Sequence, residues 1–217
     1  MSGFVLYGYF RSSAAFRARI ALNLKAIVPE TRFVHLLKDG GAQHSPEYRA
    51  LNPQALIPAL VHDGHTITQS LAIMEYLDEI VPEPPLLPKD AFARARVRSL
   101  AYQIACDIHP VNNLRVLQHL RRALHQDDAA VAAWQQHWIA LGFAALETQL
   151  ARDPATGKFC HGDAPTIADI CLIPQMANAR RVSLDLAPYP TLARIEAQAL
   201  AHPAFEAALP KNQPDAE

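Results

Sequence analysis

The apolar run Val5-Leu6-Tyr7-Gly8-Tyr9-Phe10 ends at Arg11-Ser12-Ser13, and apolar residues then recur at Phe16, Ile20, Leu24 and Ile27. A continuous apolar run followed by helical spacing predicts a strand, a serine turn and a helix of about four turns, with Arg17 and Arg19 on its outer surface. Residues 31–36 (Thr-Arg-Phe-Val-His-Leu) are rich in β-favouring types and predict a second strand. The polar, glycine-bearing stretch 38–46 predicts a mobile surface loop. Residues 57–62 and 65–68 flank Asp63-Gly64, a two-residue hairpin signal that requires positive φ. A helix is then expected from Ser70 as its N-cap, burying Ile73, Met74, Leu77 and Ile80. The resulting order is βαβ followed by ββα.

Pro82, Pro84, Pro85 and Pro88 crowd a stretch that no regular element tolerates, so residues 82–90 are expected to link a first domain, 1–81, to a second, 91–217. Beyond the prolines the pattern is helical with almost no strand signal. Arg94, Arg96 and Arg98 fall opposite Val97, Leu100 and Ile104, and further helices are expected over 113–124, 129–150 and 167–179. Thr166 and Asp169 have capping-box spacing, which makes Asp169 a structural acid. Trp134 and Trp138, four apart on a helix, are expected to pack together.

Composition narrows the function classes. The chain has 217 residues, with 20 basic and 21 acidic side chains and a net charge of −1, so no global charge attracts nucleic acid or an anionic membrane. The start lacks the pattern of a signal peptide and no stretch of about 18 apolar residues occurs, which predicts a soluble cytoplasmic protein. Cys106, Cys160 and Cys171 form no CxxC pair and are expected as buried free thiols. His62, His65, His119 and His125 have no carboxylate partner at metal-site spacing and read as surface residues, so no metal is expected.

Three places have the chemistry of a binding site. The Ser12-Ser13 turn offers hydroxyls and free backbone N–H groups at a helix start, where an anion can sit. Pro58 opens an apolar strand; alone it reads as a trans edge-strand proline, whereas a cis bond would turn the backbone of Ile57 toward an extended, peptide-like ligand. Gln69-Ser70 is either an ordinary cap or a second carboxylate site at a helix N-terminus.

These residues resemble the glutathione transferase superfamily, most closely its zeta class. The resemblance rests on Ser12-Ser13 with Phe16-Arg17-Ala18-Arg19-Ile20-Ala21-Leu22, on Ala50-Leu51-Asn52-Pro53 through Ile57-Pro58-Ala59-Leu60, on Gln69-Ser70-Leu71-Ala72-Ile73-Met74-Glu75-Tyr76-Leu77, and on Asp107-Ile108-His109-Pro110-Val111-Asn112-Asn113-Leu114-Arg115. It implies an α+β thioredoxin-like N-terminal domain, an all-α C-terminal domain, glutathione as cofactor and a homodimer. It also implies isomerisation of a maleyl keto acid: maleylacetoacetate first, with maleylpyruvate or general glutathione conjugation as alternatives, and a non-catalytic binding module as the reading from another class. The site residues implied are Ser12 and Ser13 for catalysis, Ile57, Gln69, Ser70 and His109 for glutathione, and Arg11, Arg115 and Arg181 for the substrate carboxylates, with Arg180 a weaker choice. The zeta pattern usually places cysteine after the two serines. Here that position is Ala14, so any sulfur nucleophile must arrive with glutathione.

Overall fold

The computed structural model describes residues 3–217 and divides the chain into two compact units. The first holds residues up to Leu86 together with Leu200–Glu217, and the second holds Leu87–Ala199. The division falls inside the proline-rich stretch. The expected helical domain 91–217 is corrected at its far end, because residues 200–217 pack with the first unit. Two side chains of the first helix explain why: buried Arg19 donates to the carbonyl of Ala208 at 3.1 Å, and half-buried Asn23 to that of Ala204 at 2.9 Å.

In the first unit, β1 (Val5–Gly8), β2 (Glu30–Phe33), β3 (Ala59–His62) and β4 (His65–Thr68) form one sheet in the order β2-β1-β3-β4, with β1 parallel to β2 and the other pairs antiparallel. Along β1 the buried residues are Leu6 and Gly8, while Tyr7 on the opposite face sits 6.0 Å from the ring of Tyr48. Helix α1 (Ser13–Leu24) is buried at every position except Ala14 and Asn23, the signature of an element enclosed on all sides. Arg17 and Arg19 are therefore not surface residues: both lie inside, 1% and 9% exposed. The helix is also shorter than its periodicity suggests, because Ala26 takes positive φ (53°) and Ile27 falls outside it.

The stretch 38–46 is ordered rather than loose, with short turns at Lys38–Gly40 and Ala42–His44 and with Gln43 buried, and it leads into α2 (Pro46–Leu51), capped by Ser45. The hairpin signal at Asp63-Gly64 is realised with φ of 49° and 76°. Helix α3 (Ser70–Ile80) begins one residue earlier than expected: Gln69, not Ser70, is its N-cap, and Ile80 is exposed. His62 is packed, stacking on Phe4 and bonded to the Tyr76 hydroxyl at 2.6 Å. Lys25, fully buried, pairs with Asp78 at 2.7 Å, and Asp78 also accepts the N–H of Leu86, so the proline stretch is fastened to α1 and α3 although it has no regular structure.

The second unit contains α4 (Ala91–Tyr102), a π-helical stretch Gln103–Ile108, α5 (His109–Val111), α6 (Leu114–Arg122), α7 (Asp128–Arg152), α8 (Ile167–Arg181) and α9 (Pro190–Leu200). Helix α10 (Pro203–Ala207) follows in the first unit. The capping box at the start of α8 is present, and Asp169 accepts three bonds, from Cys160 N–H (2.7 Å), Thr166 N–H (2.8 Å) and the Thr166 hydroxyl (2.9 Å). Arg96 ties α4 to the segment before α8 through Asp153, Thr156 and the carbonyl of Cys160. Trp134 and Trp138 meet edge to face at 5.7 Å. Cys160 and Cys171 are buried free thiols, but Cys106 is exposed, contrary to expectation, because it lies on an outward position of the π-helical stretch. No helix among the described residues is long and apolar enough to cross a membrane.

Candidate functional site

Strand register gathers three motifs at one end of the first unit's sheet. Tyr7 pairs with Ala59 and Ala59 with Thr68, so the end of β1, the start of β3 and the end of β4 lie side by side. The Ser12 turn follows the first, Ile57-Pro58 precedes the second and Gln69-Ser70 follows the third.

Ser12 is the N-cap of α1, with extended φ/ψ (−73°, 119°), and its Oγ accepts the N–H of Ala15 at 3.2 Å. A serine hydroxyl has one proton to donate besides its lone pairs, so this capping bond leaves the O–H available to an acceptor in front of the helix. Ser13, the first helical residue, is buried. Arg11 is exposed, and its side chain has no hydrogen bond or ion pair among the described residues. Nearby, burial pushes the Tyr9 phenol up from its ordinary pKa, with Arg11 opposing the shift.

The Ile57-Pro58 bond is cis, and Ile57 lies two residues before Ala59, the first paired position of β3. The preceding carbonyl, Leu56, is held by the Tyr48 hydroxyl and by Asn52 Nδ2, both at 2.7 Å. Gln69 caps α3 with φ of 70°, a left-handed conformation uncommon outside glycine, and its amide reaches Gln54 at 2.9 Å. Ser70 is buried, and its Oγ accepts from Arg17 Nη1 at 3.4 Å. A strained cap beside a buried hydroxyl, facing the start of a second helix, is a donor set suited to a carboxylate.

The remaining expected residues belong to the second unit. His109, half-buried, opens α5 directly after the π-helical stretch. Asn112 is buried, donating to the carbonyl of Ile108 at 3.0 Å, while its Oδ1 has no partner among the described residues. Asn113 caps α6 through the N–H of Arg115 at 3.1 Å, a structural duty. Arg115 is exposed, and its guanidinium has no hydrogen bond or ion pair among the described residues. At the end of α8, Arg181 is exposed and bonds Asn178 at 3.0 Å, whereas Arg180 is engaged by Glu196, which raises its pKa. Arg180 is thereby occupied in holding α9 to α8. The Cys160 thiol is pushed well up by burial and by Asp169, so it is a poor nucleophile.

Sequence reasoning missed Arg17 and Arg19 as parts of this region. The available signal was that, apart from Asn23, the other positions of α1 are apolar or small, which leaves little polar face for an arginine to occupy.

A family model described as the glutathione S-transferase N-terminal domain matches residues 11–80, and one for the C-terminal domain matches residues 128–207. The chain is 50% identical over 216 residues to a probable maleylacetoacetate isomerase of Vibrio cholerae, covering 100% of both chains. Among solved structures, a holo maleylpyruvate isomerase described as a bacterial zeta-class glutathione S-transferase superposes with a TM-score of 0.96 at 46% identity, covering 98% of this chain and 100% of that one. A maleylacetoacetate isomerase of Methylobacterium extorquens AM1, solved with malonate and glutathione bound, gives 0.94 at 44% identity, covering 98% and 99%. The chain belongs to the zeta-class glutathione transferases, in the maleylacetoacetate and maleylpyruvate isomerase family.

Proposed function

We propose that this protein is a glutathione-dependent cis–trans isomerase that converts maleylacetoacetate to fumarylacetoacetate. The observation that carries the reading is the convergence of the Ser12 turn, Ile57-Pro58 and Gln69-Ser70 at one end of the sheet. Those groups fit glutathione: a hydroxyl with its proton free for a thiolate, an unpaired strand end for a peptide unit, and a helix N-terminus for the γ-glutamyl carboxylate.

When bound, glutathione supplies a sulfur nucleophile whose reversible addition to the maleyl double bond permits rotation about it. The chain's own residues make that sulfur anionic and hold the dicarboxylate. Ser12 donates its O–H to the sulfur, and the α1 N-terminus adds favourable field, both of which stabilise thiolate over thiol. Ser13, at the first helical position, supports the same helix start. The backbone of Ile57 pairs with the cysteinyl unit, Gln69 and Ser70 bind the γ-glutamyl carboxylate, and His109 contributes a further contact. Arg11, Arg115 and Arg181 are the carboxylate anchors, since planar guanidinium groups match carboxylates in paired hydrogen bonds. Ala14 removes the thiol found at that position in the usual zeta pattern, which leaves glutathione as the sulfur source.

The maleylpyruvate relative favours a second reading, maleylpyruvate isomerisation, on the same residues. We also assign the protein to the cytoplasm, in keeping with its three free thiols, and to a homodimer on the family resemblance. Sedimentation tests the latter.

The deciding experiment follows the cis-to-trans change of each maleyl substrate with purified protein and glutathione. Acceleration of maleylacetoacetate is expected; ordinary conjugation of electrophiles with neither isomerisation accelerated would remove the isomerase assignment. Ser12→Ala removes a hydrogen bond to a charged group, ordinarily about 1.5–3 kcal/mol, so the thiolate-to-thiol ratio of bound glutathione is expected to fall about 10- to 100-fold. Ultraviolet absorbance of bound thiolate checks this, and an unchanged fraction would take Ser12 out of the mechanism.

A further inference from the structure

The turn that carries Ser12 is held from a distant part of the chain. After α10, residues 210–212 form a tight turn, and two side chains fasten the end of the chain to α10 and its exit: Asn212 Nδ2 donates to the carbonyl of Glu206 at 2.8 Å, and Gln213 Nε2 to those of Ala207 and Leu209 at 2.9 and 3.0 Å. So anchored, the segment places Asp215 Oδ2 2.9 Å from the N–H of Phe10, two residues before Ser12. On the other side of the same residue, the Phe10 carbonyl accepts from Arg19 Nη2 at 3.1 Å. Arg19 Nη1 also reaches the Tyr9 carbonyl at 3.4 Å, and that carbonyl receives the N–H of Ser12 at 3.0 Å. Both polar groups of Phe10 and the carbonyl that closes the serine turn thus depend on one acid and one buried base. Glu217 extends the strap to the loop after β2, pairing with Lys38 and lying 3.3 Å from His35.

We propose that Asp215 is a positioning residue for the Ser12 turn, acting through the Phe10 N–H in concert with Arg19 to fix where the Ser12 hydroxyl points. This rests on the assignment of Ser12 to thiolate stabilisation. The physical case is that a group aimed at a developing or bound anion works only when its direction is set in advance, and a turn connecting a strand to a helix has no ladder of its own to set it. Asp215 supplies the missing acceptor at the residue where the ladder of β1 has ended. Burial lowers the Arg19 pKa to about 10, with the negative charge of Asp215 opposing the shift, so the two clamps support each other.

The test compares Asp215→Ala and Asp215→Asn with the parent protein by three readouts: amide exchange at Phe10 and Ser12 without glutathione, the thiolate fraction of bound glutathione by ultraviolet absorbance, and thermal midpoint. Asp215→Ala is expected to speed exchange at Phe10 and Ser12 and to lower the thiolate fraction and kcat about 10-fold, with KM for glutathione and the midpoint little changed. Asp215→Asn, which keeps an acceptor oxygen, is expected to recover most of the loss. Exchange and thiolate fraction in Asp215→Ala equal to those of the parent would overturn the proposal, as would a loss that merely tracks a lowered midpoint. A parent protein that binds glutathione without ionising it would instead overturn the assignment of Ser12, and the exchange measurement separates the two because it needs no glutathione.

Discussion

Arginine at 17 and 19 shows how a charge is read at the level of a single residue. Inside an apolar helix an arginine must either reach solvent or find carbonyls, and the structure gives Arg19 three of them, at Tyr9, Phe10 and Ala208. Periodicity alone assigned both to the surface, because it records which positions are apolar and not how many sides of a helix are covered. Asp169 was legible for the opposite reason: Thr166 stands three residues before it, a local pattern with a local mechanism. Its full role was not legible, since the third donor, Cys160 N–H, is set by tertiary packing. Burial raises the Asp169 pKa, opposed by the bonds from Cys160 and Thr166. Asp169→Ala leaves two buried N–H groups without their acceptor and is expected to cost about 2–4 kcal/mol, lowering the thermal midpoint by roughly 4–16 °C. Calorimetry checks it; a loss within about 1 °C would contradict the accounting.

Among the elements, the strands of the first unit were largely readable, since β1 and the Asp63-Gly64 hairpin carry strong local signals, whereas the cap of α3 fell one residue before the serine that announced it. Strand β2 proved short and exposed at all four positions, with Arg32 paired to Glu30 and the Tyr7 hydroxyl, the charged character expected of an edge. The π-helical stretch before His109 was not readable, because a one-residue change in hydrogen-bond spacing leaves no mark on hydrophobic pattern. Its packing depends on Gly142 of α7: a Cβ there would lie 2.2 Å from Ile108 Cδ1 and 2.4 Å from its Cγ1. Gly142→Ala should gain about 1 kcal/mol of helix propensity yet lose about 1–3 kcal/mol by overpacking, and so come out neutral to destabilising. Pairing it with Ile108→Ala is expected to cost less than the two changes summed, a coupling that denaturant titration of the four proteins measures. Strict additivity would mean that the helices move apart freely.

On the scale of the whole molecule, the discontinuity of the first unit was hidden from the sequence. Residues 200–217 follow the helical segments directly, and contacts from Arg19, Asn23, Phe10 and Lys38 reveal where they belong. The Ser12 turn, Ile57-Pro58 and Gln69-Ser70 were visible as motifs; part of the first one's support comes from far along the chain. Lys38 bonded to Glu217 holds that carboxyl below its usual pKa, with His35 adding to the effect. A depressed carboxylate pKa contributes stability above the unfolded value that is lost as pH falls through the folded one. Acidification into and below the ordinary carboxylate range is therefore expected to free the segment around Glu217 from the loop at Lys38. Amide exchange at 35–38 and 215–217 across pH 3–6 checks this, and exchange that rises equally throughout the chain would contradict it.

The carbonyls that Arg19 needs come from opposite ends of synthesis. Tyr9 and Phe10 are made almost first, and Ala208 about 120 residues after Leu86 completes the sheet region, roughly 6–25 s later at usual elongation rates. Through that interval the chain has neither the Ala208 acceptor of Arg19 nor the Asp215 acceptor of the Phe10 N–H. The clamp on the serine turn is therefore completed only when the residues after the last helix of the first unit have been made.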